Sequence, residues 1–222
     1  MRFQNHCTWQ SLNYLALETC PLVKNLGTTD RLLRVILAEV CLLLAFFWVG
    51  QEWQIPLYLV AGVMLLQAAT GSCGIYSLLG RNSCEIVKRK DKNLMTTFVV
   101  IVLAIAVLGS YGSAVLTKNI FLEDLGRVKE PYNLVLQYSG QGMRQDAIEQ
   151  YGRLERAWGE FQAKYSQYRP LTVKFDGNFS TDMEDVAVGI SDNRDDVLTG
   201  NLTEAHDRLQ EIDPILNKLL ER

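Results

Sequence analysis

The stretch "LMTTFVVIVLAIAVLGSYGSAVLT", residues 94–117, runs for 24 positions without one charged side chain. A helix of about 20 apolar residues crosses the hydrocarbon core of a bilayer, so this run is long enough to span one. Two more lie upstream. They are "RLLRVILAEVCLLLAFFWVG" (residues 31–50) and "LYLVAGVMLLQAATGSCGIYSLL" (residues 57–79). A single run of this kind could be the core helix of a soluble domain. Three in succession, with polar punctuation between them, predict three transmembrane helices. A mean hydropathy of +0.03 conceals them, because the two halves of the chain differ. Residues 1–117 carry 9 Lys/Arg and 6 Asp/Glu, which leaves 13 and 19 for an acidic segment from 118 to 222.

Lys and Arg in the short loops set the orientation. Lys24, Arg31 and Arg34 stand at the start of the first run. The loop at residues 51–56 holds Glu52 and no Lys or Arg. After the second run come Arg81, Lys88, Arg89, Lys90 and Lys92. The expectation is a multi-pass inner-membrane protein with a cytoplasmic N-terminus and a periplasmic C-terminal domain. Trp48, Trp53 and Tyr58 would form an aromatic belt at the outer face. Residues 1–20 lack the basic start and following apolar stretch of a signal peptide, and residues 1–24 read as a short cytoplasmic segment. Residues 85–93 read as a basic cytoplasmic loop. Cys7, Cys20, Cys41, Cys73 and Cys84 all precede residue 118. No disulfide is then available to the exterior domain, and thiols on the reducing side stay free.

The short 51–56 loop makes the first two runs an antiparallel hairpin. Ala61, Gly62, Ala68, Ala69, Gly71, Ser72 and Gly74 read as small residues that let helix backbones approach in lipid. On that reading Cys73 is one more small packing residue. The alternative is a pair of reactive thiols, Cys73 and Cys84, beside the basic cluster. Glu39 is the third candidate functional residue. It sits about 12 Å into the first run at 1.5 Å per residue, where a carboxyl is costly and points to function. Thr70 and Gln67 on the returning helix are its expected hydrogen-bond partners.

The elements "GTTDR" and "GSCGIYSLLGRNSC", with the apolar runs between them, resemble the YgaP-like inner-membrane transmembrane domain family over about residues 25–84. The resemblance implies a two-span hairpin. It also implies a link to sulfur species or small anions, with Cys73 at the span-end cysteine position and Cys84 at the post-span position. Some members of the family carry a rhodanese sulfurtransferase domain, and the expectation is that no domain of that size precedes the hairpin here.

Residues 118–222 show helical periodicity throughout. Ala147, Tyr151, Leu154, Trp158, Phe161, Tyr165 and Tyr168 recur at alternating spacings of 4 and 3, the seam of a bundle helix. Pro170 stops it. A second seam runs Phe179, Met183, Val186, Ile190, Asn193, Val197, with Thr181 and Glu184 as a capping box. A third runs Leu202, Ala205, Leu209, Ile212, Leu216, Leu219, with Asn201 as cap and a kink at Pro214. A short element, "PYNLVLQY", begins at Pro131. The fold class is therefore all-α: three transmembrane helices followed by an extramembrane antiparallel helical bundle, residues 118–222. His206 is expected to hydrogen-bond Asn193, Asp192 or Asp196, and a carboxylate-rich metal site from His206, Asp192 and Asp196 is the alternative there. Tyr151, Trp158 and Tyr165 are candidates for an interaction surface wherever that stripe is exposed.

The pattern has no Gly-rich phosphate loop and no nucleophile–base pair, so no enzyme activity and no cofactor are expected. Nucleic acid is not an expected partner either, since the exterior domain is acidic. Two readings stay open. One is a non-enzymatic membrane protein whose bundle docks on a protein partner or membrane complex, with homo-oligomers allowed. The other, implied by the resemblance, is a module for sulfur species or small anions that uses Glu39, Cys73 and Cys84.

Overall fold

The structure is a computed structural model, and it describes residues 25–79 and 92–222. Among the described residues it is all-α. Residues 1–24, and most of the basic loop expected at 85–93, lie outside them.

Helix α1 (Thr28–Phe47) and helix α2 (Gln51–Thr70) form the hairpin. Only residues 48–50 turn the chain, so the loop expected at 51–56 is instead the start of α2, with Pro56 inside it. The second apolar run also stops earlier than residue 79. Gly71 takes the left-handed conformation (φ 72°) and returns its N–H to Gln67 O at 2.9 Å. This is the common glycine ending of a helix, because a Cβ disfavours positive φ. A separate short helix, α3 (Gly74–Leu78), follows. The hairpin buries Ala38 and Ala45 on α1 and Ala61 and Ala68 on α2, each pair seven residues apart, as a close-packed seam requires. Gly62 and Gly74, expected to share that role, face open space.

Helix α4 (Lys92–Gly140) is continuous for 49 residues, about 74 Å at 1.5 Å per residue. Its first half is apolar and exposed. Gly109 lets it lie against α1, since a Cβ there would come within 2.7 Å of Leu43 Cδ1. Trp48 Nε1 also donates to Ser113 Oγ at 3.0 Å. Its second half buries Thr117, Phe121, Leu125, Val128, Tyr132, Val135 and Ser139, again at spacings of 3 and 4. The boundary expected after residue 117 is therefore no break in the chain's structure. The element expected to begin at Pro131 is the end of α4, with the proline in its interior.

The bundle is completed by α5 (Arg144–Gln167), α6 (Leu171–Lys174), α7 (Phe179–Asp192), α8 (Arg194–Leu198), α9 (Leu202–Gln210) and α10 (Asp213–Leu220). All three expected seams are buried, apart from half-buried Tyr168. Two details differ. α7 starts at Phe179 after Asn178, so Thr181 lies inside the helix and no side-chain capping bond forms. The second seam also changes helix at Asn193. Asn201 caps α9 as expected, accepting from the N–H groups of Thr203 and Glu204. Pro214 falls in the first turn of α10, where its missing N–H costs nothing.

In the core, the Phe121 ring meets Phe161, Tyr165 and Phe179 at centroid distances of 5.5, 5.0 and 6.2 Å. Each buried tyrosine finds an acceptor. Tyr132 donates to Leu209 O at 2.8 Å, Tyr151 to Ile190 O, and Tyr165 to Asp124 Oδ2 at 2.8 Å. The rings thus add apolar area without leaving a buried hydroxyl unpaired.

Among the described residues two helices are long and apolar enough to cross a membrane. They are α2, with a mean hydropathy of 1.3, and α4, with a window at 2.4. α1 matches α2 in length but carries four charged residues, Asp30, Arg31, Arg34 and Glu39.

Candidate functional site

The hairpin has an open end, where α1 begins and α2 stops, and a closed end at residues 48–50. At the open end the chain clasps itself. Arg31 reaches from the first turn of α1 to the end of α2, where Nε donates to Ala68 O at 2.6 Å and Nη2 to Ala69 O at 3.0 Å. These are carbonyls that a helix end leaves without an internal partner. The backbone N–H groups of Asn25 and Leu26 both donate to Gly71 O at 3.1 Å. The Asn25 side chain brackets Cys73: Nδ2 donates to Cys73 O at 2.9 Å, and Cys73 N–H donates to Oδ1 at 2.7 Å. Arg34 Nη1 donates to Gln67 Oε1 at 2.5 Å, and Arg34 Nε stands 3.3 Å from Asp30 Oδ1. The "GTTDR" stretch and the asparagine two residues before it are thus the parts of a backbone clasp.

Cys73 is 2% exposed. Cys84 lies outside the described residues. Burial and the Asn25 bracket make position 73 a place where volume and backbone geometry matter more than the thiol. Cys73→Ala is expected to cost less than about 1.5 kcal/mol, and Cys73→Leu about 1–3 kcal/mol from overpacking. Asn25→Ala should exceed Cys73→Ala, because it strands a buried N–H and a buried carbonyl at about 1–3 kcal/mol. Thermal unfolding of the full chain in detergent gives the ranking. A larger loss for Cys73→Ala than for Asn25→Ala would sink this account.

Glu39 is half-buried on α1, and its Oε2 is buried without a hydrogen-bond partner. It borders a cavity of about 490 Å³ between α1, α2 and α4 that Phe46, Tyr58 and Ser110 also line. Neither expected partner reaches it. Gln67 is held by Arg34, and the Thr70 hydroxyl donates to Leu66 O at 2.8 Å. The expectation failed on register. α2 begins six residues earlier than the apolar run suggested, so 34 pairs with 67 and residue 62 falls level with Glu39. That residue is a glycine and offers no side-chain donor.

At the closed end the bundle grips the hairpin. Tyr168 Oη donates to Phe47 O at 2.5 Å. Lys174 Nζ donates to Phe46 O at 2.5 Å and lies 3.9 Å from the centroid of the Phe46 ring. A cation at the last carbonyls of α1 complements the helix dipole, and the ring face adds a cation–π contact. Burial pushes the Lys174 ammonium below its ordinary pKa and the Tyr168 phenol above its own. Nothing in the sequence marks Lys174 for this role beyond its place close behind the proline that ends α5.

The bundle residues singled out from sequence do not form a site. Tyr151, Trp158 and Tyr165 are core residues, 1%, 4% and 1% exposed, because their stripe faces the seam of α4. They offer no interaction surface. His206 is not bonded to Asn193, Asp192 or Asp196. Its Nδ1 stands 3.0 Å from Ser139 Oγ, and its Nε2 stands 3.0 Å from Gln210 Nε2. Asp196 pairs with Arg208 at 3.2 Å, and Asn193 donates to Gly189 O. Among the described residues no three His, Cys, Asp or Glu side chains stand together as a metal site. His206 faces α4 rather than α8 because the extension of α4, unread from sequence, lies beside α9.

Residues 22–86 match the family model described as inner membrane protein YgaP-like, transmembrane domain. The match takes in the hairpin, its clasp and both candidate cysteines, and it confirms the resemblance carried by "GTTDR" and "GSCGIYSLLGRNSC". Together with the two apolar helices it identifies a membrane protein. The bundle and the whole of α4 lie beyond the YgaP-like segment. No curated protein and no solved structure matches the chain.

Proposed function

We propose that this chain is a non-enzymatic membrane protein that holds its acidic helical bundle at the bilayer surface and docks it on a protein partner or membrane complex. The observation that carries this reading is the double attachment of the bundle. α4 is both an apolar span and a core helix of the bundle, and Tyr168 and Lys174 fasten the bundle to the end of α1. A domain tied at two points stands at a fixed height above the membrane, as a docking platform needs. In this reading α1 crosses the membrane as a third span. The basic residues of the short loops then put the N-terminus in the cytoplasm and the bundle in the periplasm.

Two measurements test it. A reporter that works only in the cytoplasm, fused after Arg222, is expected to stay dark, and a bright fusion overturns the orientation. The full chain isolated from native membranes in mild detergent is expected to retain a stoichiometric protein partner. Glu39→Gln should retain it equally, since that carboxyl lies away from the bundle.

The unpartnered Glu39 carboxyl favours a second reading. In it the hairpin handles a sulfur species or small anion through Glu39, Cys73 and Cys84, in line with the family. A chain that isolates alone, and whose cellular role is lost in Glu39→Gln at normal abundance, would favour this second reading over docking.

A further inference from the structure

A groove of about 520 Å³ opens between α1, α2 and the start of α4, at the end of the hairpin away from the bundle. Leu32, Val35, Leu65, Met95 and Phe98 form its apolar walls, and Arg31 is the charged residue among those lining it. Its volume suits part of a small amphiphile, within the roughly 300–1,000 Å³ of ordinary ligand sites. The Arg31 guanidinium donates to two neutral carbonyls, while the neighbouring Asp30 stands against Arg34. Among the described residues no carboxylate is paired with Arg31, so its positive charge is left at the mouth of an apolar groove. A basic residue at an apolar pocket between helices at the membrane surface is the chemistry that selects anionic lipid headgroups.

We propose that this groove holds one anionic phospholipid from the leaflet at the open end of the hairpin. An acyl chain lies along Leu65 and Phe98, and the phosphate is paired with Arg31. The apolar walls argue for a lipid over a free anion, which would gain nothing from them. The charge argues for an anionic lipid over a zwitterionic one. The site shares no lining residue with the cavity that Glu39 borders, and it does not depend on which way the chain faces.

The test uses the full chain in neutral detergent with equal amounts of phosphatidylglycerol and phosphatidylcholine bearing the same acyl chains. Retained lipid is counted by native mass spectrometry. Phosphatidylglycerol is expected to be preferred about fivefold, the contribution of one basic residue near an anionic headgroup. Arg31→Gln should bring the two lipids to parity. Because Arg31 also holds the end of α2, a second variant leaves it untouched: Leu65→Trp fills the groove and should abolish the phosphatidylglycerol adduct. Equal retention of both lipids by the unaltered chain would overturn the proposal, as would an adduct undiminished in Leu65→Trp. Displacement of phosphatidylglycerol by inorganic phosphate would show a free-anion site and overturn it as well.

Discussion

Phe121→Ala is expected to lower the unfolding free energy of the bundle by about 3–5 kcal/mol, the usual cost of emptying a large aromatic site in a packed core. Phe121 is 0% exposed, and its ring touches three others, from α5 and α7. It lies only four residues past the apolar stretch that ends at Thr117. If that stretch merely anchored a bundle that folded by itself farther on, truncating Phe121 would matter little. Trp158 provides the probe, since it stacks on Phe161 with ring centroids 5.5 Å apart, and Phe161 in turn meets Phe121. Denaturant unfolding followed by fluorescence, in a full chain with Trp9, Trp48 and Trp53 changed to Phe so that Trp158 alone reports, should show the loss as a lower midpoint with an unchanged slope.

The same geometry predicts how fragments behave. A fragment of residues 118–222 keeps every α4 residue of the core from Phe121 onward. A fragment beginning at Pro131 loses Phe121, Leu125 and Val128, all 0% exposed, and is expected to lose its cooperative transition. If both fragments unfolded with the same midpoint, the extension of α4 would not be part of the core.

The three seams of the bundle were legible because alternating spacings of 3 and 4 survive whatever the surroundings of a helix. The same pattern runs through Thr117, Phe121, Leu125, Val128, Tyr132, Val135 and Ser139. It was hidden by two stronger signals. Hydropathy falls at residue 117, which looks like the end of an element. Pro131 looks like a beginning, since a proline inside a helix costs roughly 3 kcal/mol. Packing of α4 against α5, α9 and α10 overrides that local preference.

The hairpin reads in a similar way. Its existence and its family were visible in short motifs, but its register was not. Gly71 was the available clue, because a glycine after about 20 apolar residues marks a helix end. With α2 ending there, Arg31 and Asn25 have their roles as capping groups, and Glu39 loses its expected partners. Contacts of side chains with backbone carbonyls, such as that of Lys174 with Phe46, leave no trace in composition or periodicity.

Asp182→Asn is expected to destabilise the bundle by about 3 kcal/mol near neutral pH, the lower end of what breaking a buried ion pair costs. Asp182 is 8% exposed in the first turn of α7. Lys218 Nζ stands 2.8 Å from its Oδ2, and Arg222 Nη2 stands 2.5 Å from the same oxygen. Arg222 keeps a second partner in Asp176 at 2.8 Å, and Lys218 is half-exposed, so the variant does not strand two fully buried cations. Burial alone would push the Asp182 carboxyl up. The hydrogen bonds and charges of Lys218 and Arg222 outweigh that and hold it below its ordinary value of 3.8. The sign follows from proton linkage. A carboxyl with a folded-state pKa below its unfolded one binds more protons in the unfolded chain as the pH falls. Its stabilisation is therefore fully present above the unfolded value and disappears as the pH drops through the folded one. The difference in unfolding free energy between the unaltered chain and Asp182→Asn should stay flat from neutral pH to about pH 5, then shrink below the ordinary carboxylate value. Added salt should change it little, because a partly buried pair is screened much less than an exposed one. A difference that already falls between neutral pH and pH 5 would place the controlling group elsewhere. A difference that persists unchanged into strong acid would show that the loss comes from packing at position 182 and not from its charge.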